Sequence, residues 1–414
     1  MTPGRKHALM AVLTAEIAVV VVFAIVYNPC DLNVYLWGGH AVTGDLSLYL
    51  GQANHHWFTY PPFAATLMVP LAALPVLLAR VGWELATVAA LAWSGLLTMR
   101  LAGWRRPSRI AVAGVLAGAL TLEPMYHTLF LGQVNVLLLA LILTDVWLVS
   151  RGGGGAGRWG WLAGTGVGLA AAIKLTPAIF IVWFLLVRRP RAALTAAASF
   201  AGCGLAGYLV APAASRLYWT KLFHDTGRVS GSYLSNQSPY GMLSRVLGGV
   251  SHVGAWYLVL PLVIGTAGLA VAAVAARRGD WLAGATATGV TGLLVSPISW
   301  THHWVWILPA LFVLARHGTG GRIAAGCGYV LFAAGLPWWT PHSGGPREYG
   351  WHGLLTAAAN SYLLAGLAFL AYLGARVLLD SRSRRRAGQP GLEHVDLESV
   401  AAVGSSAAAT TVLP

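Results

Sequence analysis

The chain has 414 residues, of which 57% are hydrophobic and only 10% charged, and its mean hydropathy is +0.66. A soluble globule carries roughly 25% charged residues, so this composition excludes a soluble domain and defines an integral membrane protein. The net charge of +14 is better accounted for by Lys and Arg held in cytoplasmic loops than by nucleic acid, and no nucleic-acid partner is expected.

Apolar segments fall, in chain order, at 8–27, 61–79, 82–99, 110–122, 134–150, 159–173, 176–187, 192–212, 256–276, 281–297, 303–315, 323–336 and 354–375. Most approach the ~20 residues that an α-helix needs to cross the hydrocarbon. Strict apolar/polar alternation is absent, which argues against an outer-membrane barrel. The first segment follows Arg5 and Lys6, is too long for a signal-peptide core and precedes no small-residue cleavage site, so it reads as an uncleaved anchor. Cys203 and Cys327 fall inside apolar runs, and with Cys30 they make an odd number, which excludes a disulfide framework.

Arginine placement sets the topology. With 61–79 lying along the outer surface and the other twelve segments crossing, 20 of the 27 basic residues are cytoplasmic, and Arg80, Lys174, Arg216, Lys221, Arg228, Arg245 and Arg347 are not. If 61–79 crosses instead, the positive-inside bias reverses, and Pro61, Pro62, Pro70 and Pro75 also suit a surface helix better than a span. The expectation is an all-α polytopic membrane protein with twelve spans, both termini inside, a membrane domain over 1–376 and a disordered cytoplasmic tail over 377–414. The tail's RSRRR run reads as a headgroup anchor.

On this topology the costly polar residues gather on the outer face. They lie in six stretches: Asp31 with Tyr35, HHWFTYPP (55–62), EPMYHTLFLGQVN (123–135), AAIKLTP (171–177), SNQSPYGMLSR (235–245) and SPISWTHHW (296–304). Each also has a plain reading. Asp31 would serve as the N-cap of a helix at 32–40, Lys174 would snorkel to the surface, and His302 and His303 would sit at the interface beside Trp300 and Trp304. Glu16, inside the first span, is a functional candidate by position alone. A carboxylate, histidines and a lysine on one face suit glycosyl transfer from a lipid-linked phosphate sugar to a hydroxyl: the acid takes the proton, the cation meets the phosphate, and aromatic rings meet the sugar. A lipid or glycan transporter would instead place polar groups at the bilayer midplane within inverted repeats.

The ordered stretches DLNVY (31–35), FTYPP (58–62), LGQVNVLLLAL (131–141), GLAAAIKLTPAIF (168–180), NQSPYG (236–241) followed by Arg245, and SPISWTHHW (296–304) resemble glycosyltransferase family 87. These are actinobacterial mannosyltransferases that use polyprenyl-phosphate-mannose. The resemblance implies the GT-C membrane fold, with about twelve transmembrane helices plus juxtamembrane helices in the first outer loop. It also implies an active site on the outer face of the plasma membrane. The acceptor would be a mannolipid or lipoglycan (phosphatidylinositol mannoside, lipomannan or lipoarabinomannan), joined by an inverting α-1,2 transfer. By the same resemblance Asp31 is the general base, His302 or His303 assists it or binds phosphate, and Lys174 and Arg245 meet the donor phosphate. Tyr35, Tyr60, Gln133, Asn135, Asn236, Gln237 and Trp300 would line the substrate site. No DxD motif is present for a nucleotide sugar, and neither metal nor cofactor is expected, although His55, His56 and Asp31 together would attract a metal if they converged. A family relative using another polyprenyl-phosphate sugar, such as arabinofuranose, is the alternative donor reading.

Overall fold

The computed structural model describes residues 2–152 and 157–386. Among them the regular structure is helical apart from one two-stranded hairpin, Gln52–Ala53 against His56–Trp57. The part of the expected tail beyond Arg386 lies outside the described residues. Before it, the last helix, Ser361–Arg386, continues past residue 377.

Five helices are long and apolar enough to cross a membrane alone: Pro3–Val26, Val76–Leu101, Pro190–Val210, Ala255–Arg277 and Ser361–Ser381. The pair Arg109–Leu120 and Glu123–Leu131, bent by 76° at the break between them, makes six if it is one broken span. The expected twelve crossings are therefore not met by length, because the other apolar segments form helices of 10–17 residues.

Their shortness follows from where they stop. At 1.5 Å per residue, the 16-residue helix Asn135–Ser150 is about 24 Å long and the 15-residue helix Trp281–Val295 about 22 Å. The hydrocarbon is about 30 Å thick. The Thr165–Ile173 helix packs against the first of these, with the Val167 amide donating to Asp145 Oδ2 at 2.7 Å. It also runs parallel to Pro190–Val210. There Gly164, at φ +108°, and Gly168 lie so close to the Ala192 and Ala196 carbonyls that a Cβ would stand 2.1 and 2.3 Å from them. The chain then reverses. Thr176 and Ile179 meet Gly292, and Trp183 meets Gly284, so Ile179–Leu186 runs antiparallel to Trp281–Val295. Asn135, Lys174 and Ser296 thus end in one layer, which forms the floor of a recess among longer helices.

The segments 159–173 and 176–187 are the arms of this reversal, with α-helical runs of only 9 and 8 residues. Below the floor the fully buried Trp183 packs on Phe180, Phe184 and Trp281 at centroid distances of 5.8, 5.5 and 6.0 Å. Small residues let neighbouring backbones approach where lipid supplies no hydrophobic drive, as where Gly284 meets Ala272 and Ala276.

The first loop builds the wall beside the recess. The helix expected over 61–79 is shorter, Pro62–Ala72, while residues 76–79 open the next helix, Val76–Leu101. Pro75, with its fixed φ and no N–H, stands at that boundary. In the hairpin Asn54 and His55 take φ +48° and +66°, the left-handed pair that a two-residue turn requires. The strands lead into Phe58–Tyr60, where Tyr49 Oη donates to the Tyr60 carbonyl at 2.7 Å.

Candidate active site

Asp31 lies in the first turn of the Cys30–Ala41 helix, but the N-cap is Pro29 and no side chain caps this terminus. The cap reading of Asp31 is therefore excluded. Its Oδ2 accepts instead from Gln133 Nε2 at 2.7 Å. The residue is half-buried, and its Oδ1 has no hydrogen-bond partner among the described residues. Burial raises the Asp31 carboxyl above the usual carboxylate range, against the opposing pull of the Gln133 hydrogen bond and of Lys174, His56 and His127.

Gln133 reaches Asp31 because of the residue before it. Gly132 ends the Glu123–Leu131 helix at φ +68°, a conformation that costs glycine little. A Cβ there would stand 2.6 Å from Leu32 Cβ. Gln133 Oε1 accepts from Tyr35 Oη at 2.8 Å, and its Nε2 also lies 3.2 Å from Tyr60 Oη. The two phenols are 3.0 Å apart. Burial pushes both up, so they act as neutral hydrogen-bonding groups.

Lys174 breaks the hairpin at the floor. Its Nζ donates to Asn135 Oδ1 at 2.9 Å, stands 2.8 Å from His303 Nε2 and lies 5.7 Å from the centre of the Tyr60 ring. Burial lowers it to about 7, opposed by the negative charge of Asp31. Asn135 Nδ2 in turn donates to the His302 carbonyl at 3.0 Å, which ties the floor to the segment carrying both histidines.

A cavity of about 410 Å³ opens above this floor. Lys174, His303, Tyr60 and Trp300 line it. Asp31 does not; it stands one link away, through Gln133 and Tyr60. Tyr35, Gln133 and Asn135 belong to the layer behind the lining. His302 points elsewhere: it is buried against His127, and both of its ring nitrogens lack partners.

Three expected site residues are placed in the scaffold. Arg245 is buried and donates to the carbonyls of Ser232, Tyr233 and Asn236 and to Asn360 Oδ1, at 3.2, 3.0, 3.0 and 2.5 Å. Asn236 pairs with the 296–300 segment, donating to the Pro297 carbonyl at 3.0 Å and accepting from the Ser299 amide at 2.9 Å. Gln237 bonds the Leu234 and Ala359 carbonyls and the Tyr362 amide. None of the three lines the cavity; their side chains bond backbone groups and, for Arg245, Asn360.

The cavity adds residues that sequence reasoning missed. Tyr49, Tyr218 and Arg228 line it. The Arg228 guanidinium donates to the Tyr49 carbonyl at 3.0 Å and sits 4.7 Å above the Trp57 ring. Only the unusual outer-loop arginine signalled it. Among the described residues no three His, Cys, Asp or Glu side chains converge as metal ligands, and His55, His56 and Asp31 do not do so.

The site thus places a carboxylate with one oxygen free of hydrogen-bond partners beside a cavity that holds a lysine and a histidine, among apolar helices. Glycosyltransferase family 87 matches residues 58–297. A Mycolicibacterium smegmatis protein described as a polyprenol-phosphate-mannose-dependent alpha-(1-2)-phosphatidylinositol pentamannoside mannosyltransferase is 37% identical over 83% of this chain and 85% of its own length. A Mycobacterium tuberculosis protein of the same description is 35% identical over 90% of this chain and 89% of its own. A second Mycobacterium tuberculosis protein, described as the corresponding phosphatidylinositol mannoside mannosyltransferase, is 34% identical over 75% and 76%. No solved structure matches. The chain belongs to glycosyltransferase family 87 and is a glycosyltransferase.

Proposed function

We propose that the chain moves mannose from polyprenyl-phosphate-mannose to a hydroxyl of a phosphatidylinositol mannoside or related lipoglycan, on the outer face of the plasma membrane, forming an α-1,2 bond with inversion. The names of the relatives supply the donor and acceptor classes. The observation that carries the chemistry is the placement of Asp31 and Lys174 on either side of the Tyr60–Gln133 pair.

In this reading the acceptor oxygen attacks the anomeric carbon while Asp31 Oδ1 takes its proton. The bond from that carbon to the phosphate oxygen breaks, and polyprenyl phosphate leaves with the electron pair. A phosphate is a good leaving group and needs its charge met more than it needs a proton, so Lys174 Nζ receives it as a point charge. His303 and Asn135 hold that ammonium in place. Gln133 keeps Oδ2 occupied and thereby aims Oδ1.

Purified protein incubated with polyprenyl-phosphate-mannose and phosphatidylinositol mannoside, lipomannan or lipoarabinomannan should form an α-1,2-linked product with at least one of them. Transfer from polyprenyl-phosphate-arabinofuranose in preference to the mannose donor would contradict the reading. For orientation, cysteine labels in a chain lacking Cys30, Cys203 and Cys327 should react from outside at residue 229 and be protected at residue 319. The reverse pattern would invert the topology.

A further inference from the structure

Asp31 keeps one oxygen without a hydrogen-bond partner among the described residues and does not line the cavity, and the helix that leads into its partner Gln133 carries a second titratable group. His127 lies on the Glu123–Leu131 helix, close enough for its charge to act on Asp31. Its Nδ1 is 2.7 Å from Glu123 Oε1. That carboxylate is 1% exposed and fully engaged: Oε1 also accepts from Trp338 Nε1 at 2.7 Å, and Oε2 from Tyr362 Oη at 3.1 Å. Glu123 Oε1 thus meets both the Trp338 indole and His127 Nδ1, which is the ring nitrogen the protein engages. The other ring nitrogen, Nε2, has no protein partner among the described residues and is not sealed in the interior, because the side chain is 17% exposed.

Aromatic rings extend from this histidine. Trp338 packs edge-on against His127 at 5.2 Å, Tyr233 lies 6.2 Å from Trp338, and Trp300, which lines the donor cavity, lies 6.3 Å from Tyr233. Half-buried aromatic faces beside a fixed imidazole suit a sugar ring, which stacks its C–H face on an aromatic and hydrogen-bonds through its edge. An inverting displacement brings the acceptor to the anomeric carbon from the face opposite the phosphate. The acceptor therefore approaches from the Asp31 side, and the phosphate lies toward Lys174.

We propose that His127, held by Glu123, and Trp338 form the subsite for the terminal sugar of the acceptor. The ring lies against Trp338, and a hydroxyl neighbouring the attacking one donates to His127 Nε2. This rests on the transferase reading above. His127 is here a positioning residue: it holds the acceptor, and Asp31 moves the proton.

The test uses full-length protein in detergent with polyprenyl-phosphate-mannose and a phosphatidylinositol mannoside. His127→Asn and Trp338→Ala should each raise the acceptor KM by about tenfold, the scale of one lost hydrogen bond or stacking contact, with the donor KM within about twofold. Trp338→Phe, which keeps a stacking face, should recover most of the acceptor affinity. Direct binding of the mannolipid, followed by saturation-transfer NMR, should be seen in the wild type and lost in both primary variants. An unchanged acceptor KM and undiminished mannolipid binding in folded His127→Asn and Trp338→Ala proteins would overturn the subsite while leaving the transferase reading intact. Mannolipid binding that depends on His127 and Trp338 without any mannose transfer by the wild type would support the subsite and defeat the transferase reading.

Discussion

Lys174 Nζ stands 2.8 Å from His303 Nε2 and 2.9 Å from Asn135 Oδ1. An ammonium has three hydrogens, so these two acceptors leave one N–H for a ligand in the cavity. Burial brings Lys174 to about 7, which makes its charge a function of pH near neutrality.

The pH dependence follows from the sign of each shift. Lys174 is positive below its pKa, so donor kcat/KM should fall as pH rises through about 7. Asp31 must be ionised to act as a base, and burial raises it, so the acid limb should lie above the ordinary carboxylate range. Lys174→Arg keeps its charge at higher pH. A pH–rate profile of that variant should lose the alkaline limb, at a lower maximum rate because a planar guanidinium does not fit the ammonium's contacts. An alkaline limb that stays in place would exclude Lys174 as its source.

Gln133 holds the base rather than the substrate. Gln133→Leu removes the partner of Asp31 Oδ2 and the acceptor for Tyr35. It should lower kcat by roughly 10- to 100-fold through misplacement, with little change in donor KM. Gln133→Glu puts a second carboxylate beside Asp31. Like charge raises a pKa, so the acid limb should move to higher pH. Steady-state kinetics across pH in the two variants separates positioning from direct binding.

Arg245 makes the opposite case. Its four bonds to backbone and Asn360 leave buried acceptors unmet when the side chain is removed, each costing about 1–3 kcal/mol. Arg245→Met should therefore lose at least about 3 kcal/mol of stability and show a clearly lower unfolding temperature. Donor KM in the protein that does fold should be near wild type. A stable variant with a raised donor KM would return Arg245 to the phosphate site.

The contrast between Lys174 and Arg245 shows what the chain makes legible. Lys174 is costly anywhere within apolar segments, so its presence there announced a role, and the structure places it in the cavity wall. Arg245, Asn236 and Gln237 look equally polar in the sequence, but nothing local says whether a side chain faces a cavity or repairs a loop. The 235–245 stretch folds back on the 296–300 segment, and that pairing consumes them. Tyr49, Tyr218 and Arg228 come from elements distant in sequence and carry no shared pattern. His127 was visible within EPMYHTLFLGQVN, yet its pairing with Glu123, one helical turn away, becomes meaningful only once Trp338 packs against it and Gln133 of the same stretch reaches Asp31. Hydropathy located the apolar segments but not the lengths of their helices, because an apolar run broken into short helices reads like one long helix.

The central claim is that Asp31 is the base, and Asp31→Asn tests it most directly. Asparagine can still accept from Gln133 Nε2, so fold and donor binding should persist, whereas an amide takes no proton at neutral pH. Turnover of polyprenyl-phosphate-mannose with a phosphatidylinositol mannoside acceptor, measured beside donor binding and unfolding temperature, should fall by about 100-fold or more, with the other two unchanged. Near-wild-type turnover by the folded Asn variant would contradict the account.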